Sequence, residues 1–276
     1  MRHLPLVLLL GLAPAFASAS DCKFSAQRDF DVDAAGLRSV AFDLGSSDLR
    51  IEGVPGLAKV EVRARACASE QDWLASLTVD QQRSGDRLTI RPRSERDNRW
   101  SWFGSSYAYI ELKVRVPASL AVVTEGSSSD VDATGLSSLD FSSSSGDLVA
   151  RRIAGTVVTS ASSGDIDGED LGSMEVRRTG SGDVKLRNVR GDAKVERSGS
   201  GDLTFDQVGG NVEVGRVGSG DVGARRVQGS VRVEAIGSGD VDVSDVGGDF
   251  SVGSKGSGDV HHRDVRGKIA VPPERD

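Results

Sequence analysis

Apolar residues between Thr179 and Val271 return to the same columns of a nineteen-residue unit, written five times from Thr179, Ser198, Val217, Ile236 and Lys255. Position six of the unit is Val184, Leu203, Val222, Val241 and Val260, and position eleven is Val189, Val208, Val227, Val246 and Val265. Position fifteen is Ala193, Val212, Val231, Phe250 and Ile269, and position seventeen is Val195, Val214, Val233, Val252 and Val271. Polar residues fill most places between, so six and eight, then fifteen and seventeen, alternate as a strand with one buried face does. The unit reads as strand, corner, strand, corner. Position thirteen is always Gly (Gly191, Gly210, Gly229, Gly248, Gly267), which suits a backbone that needs positive φ or has no room for a Cβ.

Two strands of three or four residues make no core alone, so the units must stack in parallel, about 4.8 Å apart, around one elongated core. A period near twenty predicts a solenoid. Three looser copies precede the five: Gly126 to Ser142, Ser143 to Ser160 and Ala161 to Arg178, of seventeen, eighteen and eighteen residues. Eight coils would span about 38 Å. All eight keep an aspartate in one place: Asp130, Asp147, Asp165, Asp183, Asp202, Asp221, Asp240 and Asp259.

Upstream, Val40-Ala41-Phe42, Leu49-Arg50-Ile51 and Val60-Glu61-Val62 read as strands, and Gly45 to Leu49 with Gly53 and Val60 resembles a degenerate unit, so the solenoid can begin there. Ser69-Glu70-Gln71-Asp72 has the shape of a capping box, predicting a two-turn helix with Trp73, Leu74 and Leu77 on one face. Leu77 to Gln81 and Arg87 to Arg91 form a hairpin pattern around Ser84-Gly85-Asp86. Tyr107 to Val116 alternates again, with Ala108, Ile110, Leu112, Val114 and Val116 on the apolar side, until Pro117 ends it. The organisation is a leader over 1–19, a β-rich portion over 20–118 and the repeats with a proline-bearing cap over 119–276.

The leader has Arg2 and His3, an apolar run from Leu4 to Leu12 and a small-residue site ending at Ala17-Ser18-Ala19, the marks of a secretory signal. The run is too short to stay as a membrane-spanning helix, and no later stretch is apolar enough to span. Export makes a disulfide between Cys22 and Cys67 the economical reading of the two cysteines. The formal charge of −7 becomes −8 once Arg2 is removed, which disfavours non-specific nucleic-acid binding.

Val114-Arg115-Val116-Pro117, a further strand, and then serial Ser-Gly-Asp-Val/Leu units resemble the bacterial DUF4097/DUF2807 proteins, a family labelled as candidate adhesins. The resemblance runs from about Leu37 to Val271. It implies an all-β, right-handed parallel β-helix exposed on, or secreted across, the cell envelope, and it supplies no catalytic motif.

Eight carboxylates stacked at coil spacing would repel by about 0.9 kcal/mol per neighbouring pair in water, so something must compensate. Each Asp can accept backbone N–H bonds within its own corner, as in an Asx-turn. Alternatively Asp183, Asp202, Asp221, Asp240 and Asp259 hold a file of Ca²⁺ ions. The Ca²⁺-binding β-roll repeats every nine residues and supplies two facing turns, whereas here one corner recurs per nineteen, so the Asx reading is preferred and no metal or cofactor is assigned. Gly218 to Gly223 matches a dinucleotide fingerprint by letter, but no helix follows.

Arg151-Arg152, Arg177-Arg178 and Arg225-Arg226 lie near the aspartates, the kind of grouping a carbohydrate-active enzyme needs. The charges that alternate at position nine (Arg187, Asp206, Arg225) and sixteen (Lys194, Glu213, Arg232) read instead as pairing between coils. His261 and His262 are surface or cap residues. Trp100, Trp102, Phe103, Tyr107 and Tyr109 form the least repetitive feature, either a lid on the open end or an exposed binding patch, with Arg91, Arg93, Arg96 and Arg99 suited to an anionic partner. The expectation is an exported, non-enzymatic adhesin or envelope scaffold, periplasmic or extracellular, binding a surface glycan or protein. The alternatives are a polysaccharide lyase or hydrolase, and a calcium-stabilised module.

Overall fold

The computed structural model describes residues 22–94 and 106–273. The predicted leader and the last three residues of the predicted cap lie outside them. Two sheets run the length of the molecule and enclose one continuous apolar core. The first strands are β1 (Phe24–Gln27), β2 (Phe30–Asp33), β3 (Ser39–Gly45), β4 (Leu49–Val54) and β5 (Lys59–Ala68). A 3-10 turn over Gln71–Ser76 leads to β6 (Leu77–Ser84), β7 (Arg87–Ser94) and β8 (Ala108–Pro117). The predicted helix is only this short turn; Glu70 precedes it without a side-chain cap bond, and Leu77 already belongs to the next strand.

The degenerate unit near Gly45 is a true coil: β3 and β4 stack in parallel on β9 (Ala121–Gly126) and β10 (Val131–Thr134). On their other side lie β7 and β8, also parallel, although they come later in the chain. The chain therefore steps outward after β4, lays one coil beyond the first, and returns across it. Beyond that coil β5 and β6 run antiparallel to β8 and β7, and β1 and β2 run antiparallel to β5. Antiparallel strands at this end finish the parallel ladder and cover its edge. Only β1 and β2 escaped the periodicity reading, because four residues each, half-buried at alternate positions, carry too little pattern.

The remaining coils are β11 (Ser138–Ser143) with β12 (Leu148–Arg151), β13 (Thr156–Ala161) with β14 (Ile166–Leu171), and β15 (Ser173–Arg178) with β16 (Val184–Val189). Then follow β17 (Ala193–Ser198) with β18 (Leu203–Val208), β19 (Val212–Val217) with β20 (Val222–Val227), and β21 (Val231–Ile236) with β22 (Val241–Val246). The last are β23 (Phe250–Lys255), β24 (Val260–Val265) and β25 (Ile269–Ala270). Every link is parallel, and the nineteen-residue units keep the predicted register, as in Val184, Leu203, Val222 and Val241; between β13 and β15 the register shifts by one residue after Thr159.

The predicted columns are buried up to Val252, and position one joins them through Thr179, Ser198, Val217 and Ile236. Position ten has the positive φ expected at thirteen: Asn188, Gln207, Arg226, Asp245 and Asp264 sit between 53° and 63°. This left-handed residue is skipped by the ladder, and the bend it makes turns position eleven inward just as six and eight are. Gly at thirteen serves the other expectation, close approach. A Cβ on Gly229 would lie 2.6 Å from the carbonyl oxygen of Gly210, one coil back.

The far end is more open. In β24 and β25 the apolar columns reach solvent, Ile269 at 44% and Val271 at 37% exposure, and Pro272 and Pro273 follow.

Candidate functional site

The Gly-Ser-Gly-Asp corner is so tight that a Cβ on Gly201 would lie 1.9 Å from the carbonyl oxygen of Gly182. From Gly146 onward this stacking leaves no room for a Cβ, whereas the first corners hold Ser47 and Ser129 in the same place. The corner delivers each Asp to the start of its strand with its backbone N–H aimed at the preceding coil. There the Oδ1 of the preceding Asp accepts it: Asp130 to Asp48 at 3.1 Å, Asp202 to Asp183 at 3.0 Å, Asp221 to Asp202 at 2.9 Å, Asp259 to Asp240 at 2.8 Å. The same bond joins Asp147, Asp165, Asp183 and Asp240 to their predecessors. The expected Asx-turn within one corner is thus corrected: the carboxylate bonds across coils, because its own N–H and its neighbour's carboxylate point the same way along the stack.

These bonds offset the mutual repulsion of the file, since an N–H donor favours the charged carboxylate. At Asp183 the effect is resolved: the N–H of Asp202 first, then the Lys185 ammonium at 3.1 Å, hold its carboxyl below the usual range. One oxygen of each inner aspartate is engaged this way. Among the described residues, no group of three or more His, Cys, Asp or Glu side chains is arranged to hold a metal ion.

The opposite corner carries a second ladder that the sequence reading missed. Asp192 Oδ1 accepts from the Asn211 N–H at 2.7 Å, Asn211 Oδ1 from Ser230 at 2.9 Å, Ser230 Oγ from Asp249 at 3.0 Å, and Asp249 Oδ1 from Lys268 at 2.8 Å. Its signal was chemical rather than literal: position fourteen holds only short acceptors until Lys268.

The even-strand face is a mosaic of opposite charges. Arg50, Asp132, Arg151 and Glu169 follow one another at 3.4, 3.5 and 4.0 Å, and Asp206 meets both Arg225, at 3.7 Å, and Arg226. Such exposed pairs contribute about 0–1 kcal/mol each. Pairing between coils therefore holds at position nine for Asp206 and Arg225. At sixteen, Lys194 turns along its own strand to Glu196, at 2.9 Å.

Of the aromatic residues singled out, Tyr107 and Tyr109 are half-buried with rings 5.9 Å apart. The Tyr107 hydroxyl accepts the Lys23 N–H at 3.0 Å, and the Tyr109 hydroxyl lies 3.8 Å from Cys22 Sγ. Cys22 is bonded to Cys67, which faces Tyr109 across β5 and β8. Both tyrosines thus pack beside the disulfide and the N-terminal segment. Trp100, Trp102, Phe103, Arg96 and Arg99 lie outside the described residues. Arg91 and Arg93 pair with Asp43 at 3.2 Å and Asp80 at 2.6 Å. His261 and His262 are exposed on the last full coil, His262 6.1 Å from the Phe250 ring. Among the described residues, no helix is long and apolar enough to cross a membrane.

The family model for Toastrack DUF4097 matches residues 58–264. Among curated proteins none matches the chain. Among solved structures the chain is similar to a candidate adhesin of Bacteroides fragilis NCTC 9343, at 11% identity over 91% of this chain and 98% of that one, with a TM-score of 0.40. It is similar to a candidate adhesin of Parabacteroides distasonis ATCC 8503, at 13% identity over 86% and 97% of the two chains, with a TM-score of 0.49. A candidate lipid-binding protein of Parabacteroides distasonis ATCC 8503 shows 13% identity over 91% and 98%, with a TM-score of 0.40.

Proposed function

This chain belongs to the Toastrack DUF4097 family, and we propose that it is an exported, non-enzymatic binding scaffold of the cell envelope, adhesin-like in holding a surface partner along its ladders. The observation that carries the reading is the eight-bond aspartate file, which makes coil after coil the same corner. Catalysis needs one place unlike the rest, whereas binding area grows with each added coil. The Cys22–Cys67 disulfide supports an oxidising compartment.

The test is saturable binding of the processed protein to envelope material, compared with a form lacking the two units from Ser198 to Ala235. Weaker but measurable binding by the shortened form supports the reading. Turnover of a polysaccharide with release of reducing ends, or no binding by the unshortened protein, would sink it.

A further inference from the structure

Three like charges stack in successive repeats on the odd-strand face. Arg178, Arg197 and Arg216 are the last residues of three consecutive units: Arg197 and Arg216 are direct partners, and the bridge between Thr179 and Ser198 sets Arg178 beside Arg197. All three are exposed, and among the described residues none has an ion pair or a side-chain hydrogen bond. Like charges opposite one another destabilise a sheet, and position nine of the even-strand face alternates in sign through Arg187, Asp206 and Arg225. Of the carboxylates beside them, Glu196 accepts from Lys194 and also feels the charge of Arg197, and Glu213 lies in register between Lys194 and Arg232.

The column continues without obstruction on both sides, through Ser160 and Ser142 one way and Ala235 and Ser254 the other. Beside it Gly215 stands between Glu196 and Glu234, which opens a groove about 600 Å³ in volume, bordered by these two glutamates and Glu213 as well as by Lys194, Arg197, Arg216 and Arg232. The glycine has a structural reason, since a Cβ there would meet the Glu196 carbonyl oxygen at 2.3 Å. The notch is its consequence at the surface.

Resting on the envelope-scaffold reading, we infer that Arg178, Arg197 and Arg216 form a track for an acidic polysaccharide, whose carboxylates lie along the solenoid axis on successive guanidinium forks. An arginine fork matches a carboxylate bidentately, and the forks recur at the coil spacing of about 4.8 Å. Duplex DNA winds its phosphates about the helix axis, so a strand does not follow a straight file of cations, and the acidic net charge of the protein opposes it further. A lipid surface would require apolar side chains beside the cations, yet the exposed large hydrophobics of the described residues are Ile269 and Val271 on the last coil.

The experiment uses the full disulfide-bonded protein with polygalacturonate as probe and dextran as the uncharged control, alongside the triple variants Arg178→Gln/Arg197→Gln/Arg216→Gln and Arg178→Lys/Arg197→Lys/Arg216→Lys. The expected result is binding of polygalacturonate and not dextran, weakened roughly 100-fold by the glutamines and less by the lysines, which keep charge but lose the fork. Thermal stability of the glutamine variant should be equal or higher, because repulsion is relieved. Equal affinity for dextran, undiminished binding by the glutamine variant, or an equal loss in Arg187→Gln/Arg225→Gln on the other face would overturn the inference. Envelope binding retained by the glutamine variant would also overturn it while leaving the scaffold reading intact. Loss of envelope binding by the unaltered protein would remove that reading itself.

Discussion

At the capped end each contact occurs once. Arg28 donates to the carbonyl oxygens of Leu74 and Leu77 at 2.9 Å, Asp29 accepts the Ala64 N–H at 3.0 Å, and Cys22 is tied to Cys67. In the coils from Ala121 onward the same few contacts recur at each step. An array of this kind draws its stability from neighbour interfaces that add along the axis, while the cap depends on particular residues that nothing nearby duplicates. Damage in the coils should therefore stay local and scale with position, and damage in the cap should free the edge it covers.

Phe205→Ala is the strongest way to test this. Its ring is fully buried, so truncation should cost about 3–5 kcal/mol in urea denaturation. Hydrogen exchange should quicken around β16, β18 and β20 while β5 and β8 stay protected. A uniform loss over cap and coils would mean that the two regions unfold as one unit.

Next is the disulfide. Its sequence separation is 45, and replacing both cysteines by serine should cost about 2–4 kcal/mol, with the loss concentrated in β1, β2 and β5. Loss centred on the coils would reverse the comparison.

Asp202 sharpens it from the coil side. Asp202→Ala removes the acceptor of the Asp221 N–H and should cost about 1 kcal/mol in thermal unfolding, whereas Asp202→Asn keeps an Oδ1 acceptor and should cost less. Equal losses would make charge, not the bond, the important property. If calcium raised the melting temperature by many degrees and either variant abolished the rise, the file would be a cation site after all.

The smallest effect is at Asp183, whose folded-state pKa is depressed. Its contribution is complete above the unfolded value and is lost as pH falls through the lower folded one. Lys185→Met should move its carboxyl titration, read by carbon NMR, up toward 3.8 without reaching it, because the stronger Asp202 donor remains. An unmoved midpoint would exclude Lys185 as a cause.

The same contrast between repeated and single contacts explains what was legible in the chain's letters. Repetition multiplies a weak signal, so the columns, the parallel register and the degenerate coil at Gly45 all stand out from the residue pattern alone. Phe24–Gln27 and Phe30–Asp33 occur once, and their partner strand is defined only by the fold. That β7 and β8 pack outside β3 and β4 is likewise a matter of chain path, on which periodicity is silent. The aspartate file was visible as letters, but its direction was not, because an Asx-turn and an inter-coil bond require the same residue at the same spacing. The second ladder hid behind Asp192, Asn211, Ser230 and Asp249, which share an acceptor and not a name.

In the aspartate file each Oδ1 accepts from the coil that follows, so a nineteen-residue unit inserted between any two would find an acceptor behind it and present one ahead. The protein can thus be lengthened or shortened by whole rungs without a new kind of interface. Its reach from a surface would then be inherited as a copy number.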